Sequence, residues 1–275
     1  MAGSYAYVAD GGGGKGGLRI INVANPAAPV QVGVCRTAGS ARGVAVAGSY
    51  AYVAGWAYRG LRIVNVANPS APAEVGFYET PGWAEGVAVV GSYAYLADEF
   101  DGSLRIISVA NPISPTEVGL YHAPIGAHGV AVAGSYAYVA DTILGLRIIN
   151  VANPAAPAEV GFYETAGSAE GVALAGGYAY VAAAEKGLRV INVANPAAPS
   201  EAGFYDTAGD AGGVALAGGY AYVADDIGGL FILRFTGGPT PTPTRTPTPS
   251  HAPTRVIFTP VSWIYLPVIV MNRGD

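Results

Sequence analysis

One twelve-residue phrase returns along the chain and limits what the chain can fold into. It reads GVAVAGSYAYVA at residues 43–54 and starts again at 86, 129, 171 and 213 with at most two changes. The first tyrosine of each YAY falls at Tyr5, Tyr50, Tyr93, Tyr136, Tyr178 and Tyr220, which gives spacings of 42 to 45 residues. A period in the low forties with several short apolar runs per unit is typical of β-propeller blades.

Each unit contains four short apolar runs separated by turn residues. In one unit GVAVAG leads through Gly-Ser to YAYVA, a variable loop precedes LRIVNV, and ANPSAP turns the chain into AEVGFYET. The proline of Asn-Pro ends a strand because its φ is fixed and it has no amide hydrogen. Glycine allows the positive φ of a tight hairpin turn. No helical periodicity appears, so we predict an all-β propeller of four-stranded blades.

The composition agrees with this prediction and excludes some functions. The 275 residues are 51% hydrophobic and 12% charged, with 40 glycines, whereas about a quarter of a soluble domain is normally charged. A net charge of −5 provides no basic surface for nucleic acid. No run of apolar residues is long enough to span a membrane. The single Cys35 cannot form an intramolecular disulfide.

The repeats predict six blades, of which the first and the last are incomplete. Four complete blades occupy residues 43–80, 86–123, 129–165 and 171–207, while residues 5–37 lack an inner strand and residues 213–236 lack an outer strand. The alternative is five closed blades, in which GVALAG at 213 pairs with the first three strands. Met1 aligns with Val46, within an inner strand, so we expect further blades and a signal peptide upstream in a longer protein.

The repeated residues resemble a known family. YAYVAD, GLRIINVANPAAP and GVAVAG, recurring over residues 1–236, are similar to the LVIVD repeat, whose eponymous strand reads LRIVNV or LRIINV here. The resemblance implies a β-propeller with no established enzymatic motif, in proteins that are often exported or surface-attached. The sequence departs from the family name by carrying Asn instead of Asp at Asn22, Asn65, Asn150 and Asn192, and Ser108 in the third copy. The exchange removes a carboxylate that would be a candidate ligand.

Regular arginines accompany the strand that follows the variable loop. We expect Arg19, Arg62, Arg105, Arg147 and Arg189 to lie opposite Gln31, Glu74, Glu117, Glu159 and Glu201 of the neighbouring strand as structural cross-strand pairs. The last copy has Phe231 in place of the arginine.

The composition changes abruptly at residue 237. Residues 237–255 alternate Pro and Thr, which favours an extended linker and suits an O-glycosylated stalk. Residues 256–275 are apolar, but Pro260 and Pro267 interrupt them and they are too short for an ordinary transmembrane helix. We therefore predict a propeller domain over 1–236, a linker over 237–255 and a tail over 256–275. Cell-envelope attachment, docking on the last blade as an outer strand, and a disordered terminus are the alternatives for the tail.

Sequence variation is concentrated in two connections of each unit, the loop after YAYVA and the link to the next inner strand. In a four-stranded blade both lie on one rim, where a rigid scaffold can carry a binding face, although drift in loops gives the same pattern. The first residues of the inner strands should ring the mouth of the central channel, and the aromatic residues suit protein or sugar contacts. The candidate binding residues are Arg42, Trp56, Tyr58, Trp83, Glu85, Phe100, His122, His128 and Glu170.

Few features of the sequence favour catalysis or a cofactor. His122 and His128, with Glu85 and Glu170, have atoms that metals bind, but their spacing matches no ligand motif, so we predict no metal and no cofactor. Serine-hydrolase, zinc-protease, redox and phosphate-loop motifs are absent. We predict a non-enzymatic scaffold on the cell surface or secreted, which binds an unidentified protein or glycan. The alternative is a hydrolase that uses rim carboxylates and histidines.

Overall fold

The repeated phrase forms the first two strands of a blade in the computed structural model of the protein. The structure describes residues 3–12, 16–37, 39–56 and 60–236, so the predicted linker and tail lie outside it. Within these ranges, twenty-two β-strands form six antiparallel sheets. Each sheet is one blade, and consecutive blades follow one another around a propeller ring.

Blade 1 has three strands, and blades 2 and 3 have four each. Blade 1 contains β1 (Tyr5–Asp10), β2 (Gly17–Asn22) and β3 (Val30–Arg36). Blade 2 contains β4 (Ala41–Ala47), β5 (Tyr50–Gly55), β6 (Gly60–Asn65) and β7 (Ala73–Tyr78). Blade 3 contains β8 (Ala84–Val90), β9 (Tyr93–Asp98), β10 (Ser103–Ser108) and β11 (Thr116–His122).

Blades 4 and 5 have four strands each, and blade 6 has three. Blade 4 contains β12 (Ala127–Ala133), β13 (Tyr136–Asp141), β14 (Gly145–Asn150) and β15 (Ala158–Tyr163), with a short 3₁₀ turn at Thr142–Leu144. Blade 5 contains β16 (Gly171–Ala175), β17 (Tyr178–Ala182), β18 (Leu188–Asn192) and β19 (Ser200–Tyr205). Blade 6 contains β20 (Ala211–Ala217), β21 (Tyr220–Asp225) and β22 (Gly229–Leu233).

The prediction of six blades, with incomplete first and last blades, is confirmed. The alternative of five closed blades is wrong, because β20, β21 and β22 form a sheet separate from that of β1, β2 and β3. The described residues include no helix that is long and apolar enough to cross a membrane.

Consecutive blades are held together by a buried apolar core between their facing sheets. At the interface of blades 2 and 3, Tyr52 and Leu61 pack against Ala84, Ala94 and Leu96, all buried. Equivalent buried clusters join blades 1 and 2, 3 and 4, 4 and 5, and 5 and 6. Within the described ranges no such cluster joins blade 6 to blade 1. We call this junction, at which the facing sheets share no buried core, the seam.

Two glycines in the repeat permit the close approach of neighbouring blades. A Cβ on Gly86 of inner strand β8 would lie 2.5 Å from the carbonyl oxygen of His128 in the next inner strand. A Cβ on Gly76 of outer strand β7 would collide with the carbonyl oxygen of Pro112 in the Asn-Pro turn of the next blade. At the seam, by contrast, a Cβ on Gly213 would have the Cβ of Ala224 in its own blade as its nearest neighbour, at 3.9 Å.

The arginines form the predicted pairs, but along a diagonal. Arg62 lies directly opposite Phe77, and Glu74 lies opposite Val64, because a bulge shifts the register between Ile63 and Val64. The guanidinium of Arg62 therefore covers the ring of Phe77, 4.6 Å from its centroid. Its Nη1 reaches Glu74 Oε1 at 3.4 Å. The same pairing recurs at Arg19–Gln31, Arg105–Glu117, Arg147–Glu159 and Arg189–Glu201.

A second contact of these glutamates links neighbouring blades, and the sequence did not reveal it. The hydroxyl of Tyr78 in blade 2 donates to Glu117 Oε2 in blade 3, at 3.1 Å. Tyr121 donates in the same way to Glu159, at 2.5 Å, in the following blade. Glu117, Glu159 and Glu201 thus each pair with an arginine of their own blade and accept from a tyrosine of the previous one, whereas blade 1 has Cys35 in place of the tyrosine before Glu74.

The glycine contacts predict different outcomes for the same substitution at two equivalent positions. Gly86→Ala should lower the free energy of unfolding by about 1–3 kcal/mol, because β8 and β12 must separate to admit the methyl group. Gly213→Ala should change it by less than about 0.5 kcal/mol, because the site has room. Denaturant unfolding of both variants measures the difference. Equal losses would contradict the assignment of the seam.

Candidate functional site

The two variable connections of each blade lie on the same rim, as predicted. The amide of Trp56, in the loop after β5, donates to the carbonyl of Ser40, in the link before β4, at 2.8 Å. The amide of Glu99 donates to the carbonyl of Trp83 in the same arrangement, at 2.9 Å, in blade 3. We call this edge of the propeller the variable rim. Because adjacent strands are antiparallel, the Gly-Ser and Asn-Pro turns lie on the opposite rim.

Four charged or polar side chains of consecutive blades meet on the variable rim at the start of the inner strands. Arg42 in β4, Glu85 in β8, His128 in β12 and Glu170 just before β16 form what we call the charged row. Arg42 Nε lies 3.9 Å from Glu85 Oε2, and His128 Nε2 lies 4.0 Å from the same oxygen. His128 Nε2 is also 3.4 Å from Glu170 Oε2. The structure therefore brings these four predicted residues together.

Glu85 is the most enclosed member of the charged row. Its side chain is only 8% exposed, compared with 41% for Arg42 and 28% for His128. Burial raises the pKa of its carboxyl above the ordinary value, and the nearby His128 and Arg42 act in the opposite direction. Glu85 is thus a weakly solvated carboxyl that faces two potential cations.

His128 is held by its neighbour in the next blade. Its Nδ1 lies 2.9 Å from the carbonyl oxygen of Glu170. A carbonyl oxygen can only accept, so Nδ1 donates this hydrogen bond and Nε2 is directed towards the carboxylates. The contact fixes the orientation of the imidazole ring and leaves one ring nitrogen for interaction with the acidic side chains.

Aromatic side chains continue the site from one end of the charged row. The rings of Trp56 and Trp83 are 4.8 Å apart, and those of Trp83 and Phe100 are 5.4 Å apart. The Arg42 guanidinium lies 5.2 Å from the centre of the Trp56 ring, which joins the two groups. Phe100 is 61% exposed. We call Trp56, Trp83 and Phe100 the aromatic row; Tyr58, also predicted for this surface, lies outside the described residues.

His122 is separated from the charged row. It ends the outer strand β11, and its Nδ1 lies 3.2 Å from the hydroxyl of Ser103 on the adjacent strand β10. His128 instead has Glu85 and Glu170 as its acidic neighbours. Across the described ranges, no three His, Cys, Asp or Glu side chains are grouped so as to hold a metal ion.

Two buried aspartates lie at the variable-rim ends of their strands, and they were not among the predicted residues. Asp98 and Asp141, at the ends of β9 and β13, are fully buried. Arg105 Nε donates to Asp98 at 3.2 Å, and the amide of Gly126 donates to Asp141 at 3.2 Å. Burial raises the pKa of both carboxyls. The sequence contains one sign of these aspartates: the phrase YAYVAD ends in Asp in some repeats and in Gly or Ala in others.

Together, the six sheets and their repeats define a β-propeller with an aromatic and charged surface on one rim. The LVIVD repeat model matches residues 1–37, 38–80, 81–123, 126–165, 166–207 and 208–233. The chain therefore belongs to the LVIVD-repeat family, which confirms the resemblance found in its sequence. No curated protein matches the sequence.

Solved structures share the fold at low sequence identity. A periplasmic gluconolactonase from Pseudomonas aeruginosa is 14% identical, with a TM-score of 0.72 over 84% of this chain and 77% of that one. A putative 6-phosphogluconolactonase from Bacteroides fragilis is 13% identical, with a TM-score of 0.70 over 84% and 76%. A protein of unknown function from Desulfotomaculum acetoxidans is 12% identical, with a TM-score of 0.69 over 85% and 76%. At these identities the likeness shows the fold alone.

The raised pKa of Glu85 predicts a pH-dependent effect on stability. A carboxyl with a raised pKa binds its proton more tightly in the folded state, so its unfavourable contribution is absent at low pH. The contribution grows as the pH rises from the ordinary value of 4.5 through the folded pKa. The free energy of unfolding of Glu85→Gln, relative to the unsubstituted protein, should therefore increase between about pH 3 and pH 7. A difference that stays constant across this range in denaturant unfolding would show that Glu85 titrates normally.

Proposed function

We propose that this propeller is a non-enzymatic scaffold that acts outside the cell and binds a glycan through its variable rim. The observation that carries the proposal is the continuity of the aromatic row with the charged row, across blades 2 to 5. A protein ligand is the other candidate for the same surface. The glycan is favoured by the combination of flat rings and carboxylates.

The aromatic row suits the apolar face of a sugar ring. Trp56 and Trp83 are half-buried and contact each other, so their rings are held in place before a ligand arrives. Binding to rings that are already ordered costs little conformational entropy. The adjoining Glu85 and Glu170 offer acceptors for sugar hydroxyls, and such charge-assisted hydrogen bonds fix the orientation of a ligand.

The location outside the cell rests on other features. The LVIVD-repeat resemblance implies proteins that are often exported or surface-attached. The Pro/Thr-rich composition of residues 237–255 suits a linker that carries the domain away from a surface. Cell fractionation combined with protease treatment of intact cells tests this part of the proposal. Recovery of the protein only from the cytoplasm would reject it.

Trp83 lies at the centre of the aromatic row, so its removal should reduce glycan binding most. We expect Trp83→Ala to raise the dissociation constant of the tightest-binding glycan from an array by about tenfold or more, as for a central hot-spot residue. Phe162→Ala is the matched control, since Phe162 is an exposed ring (49%) on the outer strand β15 and belongs to neither the aromatic row nor the charged row. Its affinity should be unchanged.

Two results would reject the glycan. Equal affinity after Trp56→Ala, Trp83→Ala and Glu85→Gln would show that the ligand binds elsewhere. An empty array, together with capture of a protein whose binding is lost in Trp83→Ala, would assign the rim to a protein ligand.

One observation favours a hydrolase as a second candidate. Glu85 is an enclosed carboxyl with a raised pKa, next to His128 and a second carboxylate, which is a pattern that general acid catalysis uses. Two proteins of similar fold have lactonase names. Against it, Arg42 lies 3.9 Å from Glu85, and this cation favours the ionised carboxylate over the protonated acid.

Turnover of a panel of sugar lactones and glycosides decides between the two candidates. We expect no release of product above the buffer rate from the purified protein. Hydrolysis that disappears in Glu85→Gln, with the fold retained, would establish the hydrolase and reject the scaffold.

A further inference from the structure

Blade 6 ends with a strand whose outer edge has no partner in the described part of the chain. In blades 1 to 5 the third-position strand pairs with an outer strand, namely β3, β7, β11, β15 or β19. In blade 6, β22 pairs only with β21 among residues 3–12, 16–37, 39–56 and 60–236. Its outer edge presents backbone donors and acceptors that a further strand would satisfy.

The edge differs chemically from the same edge in the other blades. β22 reads GLFIL where β6 reads GLRIVN, so Phe231 stands in the place of the paired arginine. The outer strands of blades 2 to 5 bring a glutamate to that arginine. An outer strand that pairs with β22 meets the ring of Phe231 where the other outer strands meet a guanidinium, so an apolar strand suits this position better than an acidic one.

The surface around the edge is also more exposed than its counterparts. Leu230, on the face of blade 6 that opens to the seam, is 38% exposed, whereas Leu61 at the same position of blade 2 is fully buried against blade 3. Ile227, in the loop before β22, is 85% exposed. Phe231 packs against Tyr205 of blade 5, with ring centroids 6.0 Å apart, so its ring is held in place before a further strand pairs with β22. A preformed apolar edge of this kind is a site for strand addition.

We propose that the apolar tail of this same chain, residues 256–275, occupies this edge and completes blade 6. Residues 256–272 contain no charged side chain. Within them, Val261–Leu266 is bounded by Pro260 and Pro267 and has six residues, the length of β7, β15 and β19. Prolines at the ends of an edge strand remove no ladder hydrogen bond that the blade needs.

The linker allows the tail to reach β22 without strain. Residues 237–255 in an extended proline-rich conformation span up to roughly 3 Å per residue, far more than the width of one blade. The tether also keeps the tail at a high effective concentration near the edge. An outer strand that pairs antiparallel with β22 starts at the rim where β22 ends, which is where the linker leaves the propeller.

Hydrogen exchange on the full chain, read by mass spectrometry, tests the proposal. We expect the amides of 261–266, and those of β22 that point away from β21, to exchange about tenfold more slowly than unpaired amides. Ile264→Pro should abolish both protections, since it removes an amide and breaks the strand. Thr246→Pro, the same change within the linker, is the matched control and should alter neither. Unchanged exchange in β5 and β6 shows that the propeller stays folded.

Phe231→Arg provides an independent test. It places on β22 the arginine of the other repeats, but without the glutamate that pairs with it there. An apolar strand would bury this unpaired charge and should therefore leave the edge. Residues 261–266 should then exchange as fast as in Ile264→Pro. Fast exchange of 261–266 in the unsubstituted chain would overturn the proposal. Protection that depends on protein concentration would also overturn it, because it would assign the edge to a second copy of the chain.

Discussion

The packing of one blade face against the next is the constraint on which the rest of this structure depends. Tyr52 and Leu61 of blade 2 fill the space over Ala84 and Ala94 of blade 3, and the other interfaces repeat this fit. This fit also requires the backbones of neighbouring inner strands to come close, and Gly86 permits that approach because it has no side chain. Each copy of the repeated phrase must fit its neighbours on both sides, which explains why the phrase varies so little.

This packing also creates the candidate site. Since each inner strand lies beside the next, the residues that start these strands become neighbours although they are about 42 positions apart in sequence. Arg42, Glu85, His128 and Glu170 therefore form a row that no single blade contains. The uniform scaffold determines where the side chains lie, and the variable loops determine which side chains are there.

The sequence predicted the features that depend on spacing within a repeat. The period gave six blades and the two incomplete ones, and the strand order placed the variable loops on one rim. Features that depend on the rotation between blades were not predicted, such as the hydrogen bond from Tyr78 to Glu117. The diagonal pairing of Arg62 with Glu74 was also missed, because it results from a bulge that the alternation of residues does not reveal. His122 was grouped with His128 by sequence proximity, although an outer strand and an inner strand carry them.

We propose that one rim of the propeller binds a ligand and that the other serves only the fold. Hydrogen exchange measured with and without a saturating glycan ligand compares the two rims in one experiment. We expect slower exchange in the loops that carry Trp56, Trp83 and Phe100 and at the starts of β8 and β12. We expect no change in the Gly-Ser and Asn-Pro turns. Protection confined to those turns, or spread equally over both rims, would contradict this proposal.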